Sequence, residues 1–413
     1  MFDLVVLPMH DWKKCEAEGF RTRDAHIMEN LRRSEEIGRI LVVDRPVSWA
    51  EAVLKKRSRR VAGGEVVLSG RSFWVTETVP EKCYVLDISV GDLVRPLLMG
   101  RDWWDAVFRR PAIHQTIRKT MAQLGFGRAV LFLWSPLATG AIEAIPHDLL
   151  VFDALDNWLN HPVIRDRRGL IAAGYEMIRE RADLIFTNAQ STADFLTPAR
   201  KCRPRFIPNG VDPERFRPGQ CETPDDMANL KRPIVGYSGK LARRFDAQLF
   251  AKLADAFPDA SFVICGQVLE RRPVAKILQL PNVHYLGDKH YDDLPAYVTH
   301  FDVGLIPHHV GKHEIEGDPI KMYEYLAAEL PVVTTRIMGV DAYREHAFVA
   351  NDHEEFLRHL RHCLDLIRSG RREVLQEKAA HALPETVAWR CKARLMVDSI
   401  QESLQKKRAT EER

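Results

Sequence analysis

The sequence lacks the features of a disulfide scaffold, a zinc protein or a membrane-spanning protein. Its seven cysteines are odd in number and scattered, and no CxxC pair occurs, so we expect reduced thiols rather than disulfides or a zinc site. The most apolar window, 129–146, is interrupted by Pro136 and Glu143, which predicts a buried strand and a short helix. The first eight residues contain no basic signal-like stretch. We therefore expect a cytoplasmic protein, with the inner face of the membrane as a place where it could act.

The sequence also has little net charge, no internal repeat and no long low-complexity tract. A formal net charge of +3 over 413 residues argues against a dedicated nucleic-acid binder. The composition, 46% hydrophobic and 28% charged, is that of a globular protein. At this length the chain is expected to form two domains, each with its own core.

Short apolar runs alternate with amphipathic segments along the whole chain, which predicts parallel sheets covered by helices. Strands are predicted at 4–7, 39–44, 85–88, 129–134, 149–152, 184–187, 234–237, 261–265, 283–286, 303–306 and 332–334, and a strand or hairpin at 66–77. Helices are predicted at 21–33, 112–124, 164–182, 246–256, 291–297, 354–369 and 387–406, with another beginning at Pro319. The pattern predicts two Rossmann-like α/β domains that face each other across a cleft.

The predicted division of the chain has four parts. Residues 1–206 are expected to form an N-terminal Rossmann-like domain and 233–375 a C-terminal Rossmann-like domain. The polar, proline-rich segment 207–232 is the predicted linker, because an Asn-Gly pair and several prolines break the alternation there. Residues 376–413 are predicted to be a helical segment that packs back toward the N-terminal domain.

One stretch, 316–335, carries most of the predicted chemistry. Asp318 is expected to cap a helix whose first residue is Pro319, directly after the buried strand 302–306. Lys321 and Glu324, three residues apart, should share one face near the start of this helix, and Glu316 lies in the loop before it. Helix N-termini attract phosphate, and a carboxylate can accept hydrogen bonds from sugar hydroxyls. The stretch therefore predicts a site for a ligand that is part phosphate and part sugar.

Several segments resemble the nucleotide-sugar-dependent glycosyltransferases of the GT-B fold, in particular the group 1 (family 4) class and a subgroup that builds cell-surface polysaccharides. The resemblance covers most of 207–335 and patches of the first half. It is carried by Ile207-Pro-Asn-Gly-Val-Asp-Pro-Glu-Arg-Phe216, Gly236-Tyr-Ser-Gly-Lys-Leu241, Asn282-Val-His-Tyr-Leu-Gly287, the pair Glu316 and Glu324 with seven residues between them, and Asp318-Pro-Ile-Lys-Met-Tyr-Glu-Tyr-Leu-Ala327.

The resemblance implies that the N-terminal domain, 1–206, holds the acceptor and that the C-terminal domain, 233–375, holds the nucleotide-sugar donor. It also implies roles for residues that would bind the donor. Glu324 would hold the donor ribose and Glu316 would contact the donor sugar, with Gly317 close to the sugar or diphosphate. Lys240 and Arg244 match two basic contacts to the diphosphate. Gly239 would lie with Lys240 and Arg244 on the side of the site opposite Glu316 and Glu324. Lys321 is either a phosphate contact or a surface charge. Because the two cations would stabilise the leaving group, the resemblance implies no metal and no cofactor.

The residue that activates the acceptor is less clearly marked, because the family's N-domain histidine has no clean counterpart. Asp153 and Asp156 follow a predicted strand, where a carboxylate could act as general base in an inverting mechanism. Alternatively, Asp153 pairs with an arginine and Asp156 caps the next segment. In a retaining mechanism the leaving phosphate would take the proton. His10, His26 and His161 are either packed or exposed side chains or catalytic candidates, and His10 comes first among them because it lies in the loop after the first strand.

The sequence thus predicts a metal-independent hexosyltransferase that moves a sugar from a nucleotide-sugar to a glycan or lipid-linked acceptor in polysaccharide biosynthesis. A catalytically inactive nucleotide-sugar-binding scaffold and a GT-B-fold sugar-nucleotide epimerase remain as alternatives. His308, His309 and His313 lack the spacing of a zinc site. The basic run Lys55-Lys-Arg-Ser-Arg-Arg60 is either a solvated face or a contact for anionic lipid headgroups.

Overall fold

The structure, a computed structural model, describes residues 1–100, 102–160, 168–197, 203–311, 318–379 and 382–411. By their contacts the residues group into two compact units, Met1–Pro208 with Arg390–Arg413, and Asn209–Trp389. Within the described ranges, no helix combines the length and the apolar character needed to cross a bilayer.

The first unit consists of strands and helices that largely alternate along the chain. Its strands are β1 (Phe2–Leu7), β2 (Ile37–Val43), β3 (Val47–Ser48), β4 (Glu65–Ser69), β5 (Phe73–Val79), β6 (Cys83–Val90), β7 (Ala129–Leu133), β8 (His147–Ala154), β9 (Leu184–Thr187) and β10 (Arg205–Phe206). Its helices up to residue 208 are α1 (Trp12–Glu18), α2 (Arg23–Leu31), α3 (Trp49–Leu54), α4 (Arg95–Met99), α5 (Asp102–Phe108), α6 (Pro111–Gln123), α7 (Arg168–Arg181) and α8 (Gln190–Leu196).

The sheet of the first unit has the strand order β10-β9-β8-β7-β1-β2-β6-β5-β4, with β3 paired to β6. The pairs from β10 to β6 are parallel, and the hairpin of β4 and β5 extends the edge in antiparallel fashion. The order reverses between β1 and β7, and in open α/β sheets ligands bind beyond the carboxyl ends of the strands at such a switch point. The residues that follow Leu7 and Leu133 therefore lie where a ligand is expected.

The second unit is a smaller, wholly parallel version of the same architecture. Its strands are β11 (Ile234–Ser238), β12 (Ser261–Cys265), β13 (Val283–Tyr285), β14 (Val303–Ile306), β15 (Val332–Thr335) and β16 (Phe348–Ala350). Its helices are α9 (Ala247–Ala256), α10 (Arg271–Val274), α11 (Leu294–Val298), α12 (Ile320–Ala327), α13 (His353–Arg368) and α14 (Arg372–Ala379). The strand order β13-β12-β11-β14-β15-β16 reverses between β11 and β14, which is the switch point of this sheet.

The last helix, α15 (Trp389–Glu411), belongs to the first unit from Arg390 onward. Arg205 donates a hydrogen bond to the Ser399 hydroxyl at 2.6 Å, and Arg394 pairs with Glu36 at 2.7 Å. These contacts fasten the helix to the first unit.

The prediction of two Rossmann-like α/β domains is confirmed, and most strands lie within a residue or two of their predicted positions. The helix predicted at 291–297 begins later, at Leu294, because Pro295 favours the first helical turn. The short helices α1, α3, α4, α5 and α8 were not predicted. Each has at most seven residues, too few for a helical periodicity to stand out.

Candidate active site

Helix α12 is buried around nearly its whole circumference, although its sequence predicts a single buried face. Lys321 and Glu324 are only 8% and 5% exposed, and Tyr323 and Tyr325 are buried beside them. Tyr325 reaches the end of β11, where its hydroxyl accepts hydrogen bonds from the amide and the hydroxyl of Ser238 at 2.7 and 3.0 Å. The helix is therefore fixed against the switch point of the second sheet with two charged side chains inside the protein.

The start of α12 differs from the prediction. Pro319, not Asp318, occupies the N-cap position, and the helix begins at Ile320. The Asp318 carboxylate instead accepts hydrogen bonds from the Asn209 amide at 2.7 Å and the Tyr323 hydroxyl at 2.6 Å. The prediction failed because the extended Pro319 turns the Asp318 side chain toward more distant partners. Asn209, part of the 207–216 motif, thereby holds the segment that leads into the helix.

Two glycines at the carboxyl ends of β11 and β12 make a close backbone crossing. Gly239 has a φ of 145° and Gly266 a φ of 154°, both in the region that favours glycine. A Cβ on Gly266 would lie 1.9 Å from the carbonyl oxygen of Gly239, so no side chain fits there. A Cβ on Gly239 would lie 3.1 Å from both Cε and Nζ of Lys321. The bare Gly239 backbone therefore forms one side of the place where the Lys321 ammonium lies. Gly236, by contrast, is inside β11, where its missing side chain admits the Phe301 ring.

Basic side chains converge near Gly239. The Lys321 ammonium lies 5.4 Å from the centre of the Tyr237 ring, and burial together with the nearby Arg244 charge lowers the pKa of Lys321 to about 7, although Glu324 opposes the shift. Burial and the charges of Lys321 and Arg244 likewise hold the pKa of His308 well below its usual range. The Arg244 charge disfavours the charged forms of Lys321 and His308, and an anion bound beside these side chains would relieve this repulsion.

The backbone positions this cationic group through both strands of the switch point. The Arg244 carbonyl accepts a hydrogen bond from the His309 amide at 2.8 Å, and Phe245 forms a bridge with His308 after β14. The Tyr237 hydroxyl donates to the Lys240 carbonyl at 3.2 Å and lies 3.3 Å from Nε2 of His308. Lys240 and Arg244 are both half-buried.

Glu324 faces a different set of neighbours from Lys321. Burial, with the Glu324 charge and a hydrogen bond to Glu324, holds the pKa of the Tyr291 hydroxyl well above its usual range. The Arg215 guanidinium lies 4.7 Å from the centre of the Tyr291 ring. One turn of helix thus presents a cation toward Gly239 and a carboxylate toward Tyr291. The predicted partners Glu316 and Gly317 lie outside the described residues, as do His161 and His313.

In the first unit, Asp153 is fully buried at the end of β8 and carries an internal ion pair. It accepts hydrogen bonds from Nε and Nη2 of Arg23, each at 3.1 Å, and from Nε1 of Trp134 at 2.9 Å. Arg23 is itself only 4% exposed. The Asp153 carboxylate accepts hydrogen bonds from three donors and has no exposed surface, which favours a structural role. A general base, in contrast, must reach its substrate. Asp156 is partly buried, and its carbonyl accepts a hydrogen bond from Tyr175 at 3.0 Å.

The next residue of α2, Asp24, holds His10 in the loop after β1. Nδ1 of His10 lies 3.0 and 3.1 Å from the two oxygens of Asp24, and the His10 amide donates to the same carboxylate at 3.0 Å. Burial opposes ionisation of Asp24, yet His10 and Thr22 hold its pKa well below the usual range. The His10 side chain is 28% exposed, so Nε2 belongs to a ring that is both oriented by a carboxylate and open to solvent.

The two α/β units have the GT-B glycosyltransferase fold, because the structure matches solved structures of that fold along nearly its whole length. The structure matches that of sucrose-phosphate synthase from Thermosynechococcus elongatus with a TM-score of 0.70 over 97% of this chain and 99% of that one, at 14% identity. It matches Anabaena HepE in complex with UDP and glucose with a TM-score of 0.62 over 98% and 100% of the two chains, at 13% identity. It matches an E. coli trehalose-6-phosphate structure bound with UDP-2-fluoro glucose with a TM-score of 0.65 over 98% of this chain and 99% of that one, at 14% identity.

Sequence comparison adds a family match for part of the chain. Residues 232–365 match the family described as "Glycosyl transferases group 1". Over 222 residues the chain is 25% identical to TuaH of Bacillus subtilis (strain 168), a protein provisionally assigned as a teichuronic acid biosynthesis glycosyltransferase. That match covers 50% of this chain and 56% of TuaH. The chain therefore has the GT-B fold, a segment that matches group 1 glycosyltransferases, and a distant homologue in TuaH.

Sequence reasoning missed Tyr237, Tyr291 and the pairing of His10 with Asp24. His308 was considered only as a metal ligand, and among the described residues no group of His, Cys, Asp and Glu side chains could hold a metal ion. One signal could have pointed to His308, since it follows the carboxyl end of a predicted strand, as His10 does. The two tyrosines lie inside a strand and a loop and gave no comparable signal.

Proposed function

We propose that the protein transfers a sugar from a nucleotide-sugar donor to a hydroxyl of a glycan or lipid-linked acceptor. The observation that carries the proposal is the group of Lys321, Arg244 and His308 beside Gly239, with buried Glu324 one turn farther along α12. Cations next to an open backbone suit a diphosphate, and a buried carboxylate suits the hydroxyls of a ribose.

In the proposed reaction, Lys240, Arg244 and Lys321 bind the diphosphate and stabilise the negative charge that develops on it as the sugar bond breaks. Glu324 holds the ribose, and Glu316 with Gly317 contacts the donor sugar. No step in this scheme requires a metal ion. HepE was solved with UDP and glucose and the E. coli structure with UDP-2-fluoro glucose, and TuaH is provisionally assigned to teichuronic acid biosynthesis. These likenesses support a nucleotide-sugar donor and a role in polysaccharide biosynthesis.

For the acceptor side, we propose His10 as the residue that orients the acceptor hydroxyl and accepts its proton at Nε2. Asp24 would fix the ring and stabilise the imidazolium that forms. Asp156 stays a second candidate. Asp153, predicted as a base, is better explained by its ion pair with Arg23, and we propose that it positions α2 and through it Asp24.

The proposal is tested by a thermal-shift panel of nucleoside diphosphates and nucleotide sugars, because a ligand that binds the native state raises Tm. We expect one nucleoside diphosphate and its sugar conjugate to stabilise the protein. Glu324→Ala should abolish this stabilisation, and Lys252→Met, an exposed change on α9, should leave it intact. If no ligand in the panel raises Tm, or if Glu324→Ala responds like the wild type, the assignment of the donor site is wrong. Transfer of labelled sugar to a glycan or lipid acceptor then separates a transferase from an inactive binding protein.

A further inference from the structure

Two short helices of the first unit, α3 and α4, expose large hydrophobic side chains. Leu98 is 81% exposed and Val53 71%, which is unusual for side chains of this size. Seven exposed large hydrophobic residues lie on these two helices and in the loop before α4. We name them the apolar surface: Trp49, Val53, Leu54, Leu93, Val94, Leu97 and Leu98.

The fold brings the two helices to one place, although they are far apart in sequence. The short strand β3, which leads into α3, pairs with the end of β6, which leads toward α4. The amide of Ala50 donates a hydrogen bond to the carbonyl of Asp92 at 3.2 Å. The Trp49 ring lies 4.0 Å from the position of a Cβ on Gly91. Both helices therefore start from the same two strand ends, and their exposed side chains belong to one region.

Positive charge borders the apolar surface. Exposed basic residues follow α3 directly and begin α4: Lys55, Lys56, Arg59, Arg60 and Arg95. The two acidic residues of these segments are engaged within the protein. Glu51 is buried and pairs with Arg45 at 3.1 Å, and Asp92 accepts hydrogen bonds from Trp103 and Arg110. The region as a whole therefore carries a positive charge around its leucines.

We propose that the apolar surface and its basic border dock the protein on an anionic phospholipid bilayer. Leucine and tryptophan side chains can enter the boundary between headgroups and acyl chains while neighbouring lysines and arginines pair with anionic headgroups. A protein partner fits less well, because lysine is depleted in protein interfaces. The inference does not depend on the donor site, and it extends the proposed function by bringing the enzyme to a surface that carries lipid-linked acceptors.

The test is co-sedimentation of the full chain with vesicles of phosphatidylcholine and phosphatidylglycerol in equal parts, compared with vesicles of phosphatidylcholine alone. We expect binding to the anionic vesicles that weakens as salt is raised. Leu97→Ser with Leu98→Ser should lower the partition coefficient by about tenfold or more, because each buried leucine adds to membrane affinity. Lys56→Glu with Arg59→Glu should have an effect of similar size.

Matched controls use exposed residues of the second unit and of α15. Leu269→Ser with Leu395→Ser removes two leucines that are 54% and 49% exposed, and Arg272→Glu with Lys276→Glu reverses two exposed charges. Both controls should bind vesicles like the wild type. Equal binding to both kinds of vesicle, or unchanged binding of the double-leucine variant, would overturn the proposal. So would a dimer in sedimentation velocity that dissociates in this variant, since the apolar surface would then join two copies.

Thermal shifts with nucleoside diphosphates separate this proposal from the proposed function. The four variants should keep the ligand-induced rise in Tm, because none of the altered residues lies in the donor site. Vesicle binding without any response to nucleotides would uphold the docking surface and refute the donor site. A response to nucleotides without vesicle binding would uphold the donor site and refute the docking surface.

Discussion

The lowered pKa of Lys321 makes a quantitative prediction about donor binding. With a pKa of about 7 in the free protein, about nine in ten Lys321 side chains are neutral at pH 8. A bound diphosphate favours the ammonium form, so binding at this pH should be accompanied by uptake of about 0.9 proton. Protons are taken up rather than released because the lowered pKa leaves most Lys321 side chains deprotonated before binding, and the bound diphosphate then favours their protonation.

The same reasoning predicts how affinity depends on pH. Between about pH 7.5 and 9 an increasing part of the binding energy is used to protonate Lys321, and the affinity should fall roughly 20-fold, or about 2 kcal/mol. The diphosphate itself is fully ionised over this range, since the second pKa of a phosphate is about 6. Lys321→Met should bind more weakly at pH 7.5 and should show little further loss at pH 9.

The assay is titration calorimetry at pH 8 in two buffers that differ in ionisation enthalpy, because the difference in observed enthalpy gives the number of protons taken up. The wild type and the control Lys252→Met should both show uptake close to one proton, and Lys321→Met should show none. Absence of proton uptake in the wild type, or the same uptake in Lys321→Met, would refute the placement of Lys321 at the diphosphate.

Three further predictions follow from contacts in the two units. Gly266→Ala should lower the free energy of unfolding by at least about 3 kcal/mol in urea titrations, because its Cβ would lie 1.9 Å from a carbonyl oxygen. The control Gly219→Ala, whose Cβ would meet open space, should lower the free energy of unfolding by less. Asp153→Asn should cost about 3–5 kcal/mol of stability by leaving a buried arginine without its carboxylate, and full stability with lost turnover would instead make Asp153 catalytic. His10→Ala should lower kcat by about 10²–10⁴-fold while donor affinity, measured by calorimetry, stays unchanged. Normal turnover in this variant would exclude His10 as the proton acceptor.

Much of the fold could be predicted because its strands are short apolar runs with clear ends. The sequence Ser261-Phe-Val-Ile-Cys265 forms β12 within its predicted bounds, and 184–187 forms β9 in the same way. Such runs are buried on both faces of a parallel sheet, so their hydrophobicity alone identifies them. Strand order does not follow from the runs themselves. The switch points between β1 and β7 and between β11 and β14 depend on which strand ends become neighbours.

The candidate site shows the same limit. Its motif residues could be named from their order along the chain. The sequence does not tell, however, whether a given carboxylate or lysine is exposed or buried. Lys321 was open between a phosphate contact and a surface charge, and its burial next to Arg244 and Gly239 is a tertiary fact. Asp153 was open between a general base and the partner of an arginine, and Arg23, which donates hydrogen bonds to it, lies 130 residues away in sequence.

The sequence by itself therefore determined the class of domain, the position of the buried strands and the presence of a glycine loop and a charged helix in the second half. These follow from local composition and short-range spacing. Only the tertiary structure decided which charges meet, because Lys321, Arg244 and His308 come from three different segments that converge at one switch point. It likewise joined α3 to α4 into one apolar surface with a basic border. Electrostatic and hydrophobic energies depend on distance in space, and distance in space is what a sequence does not record.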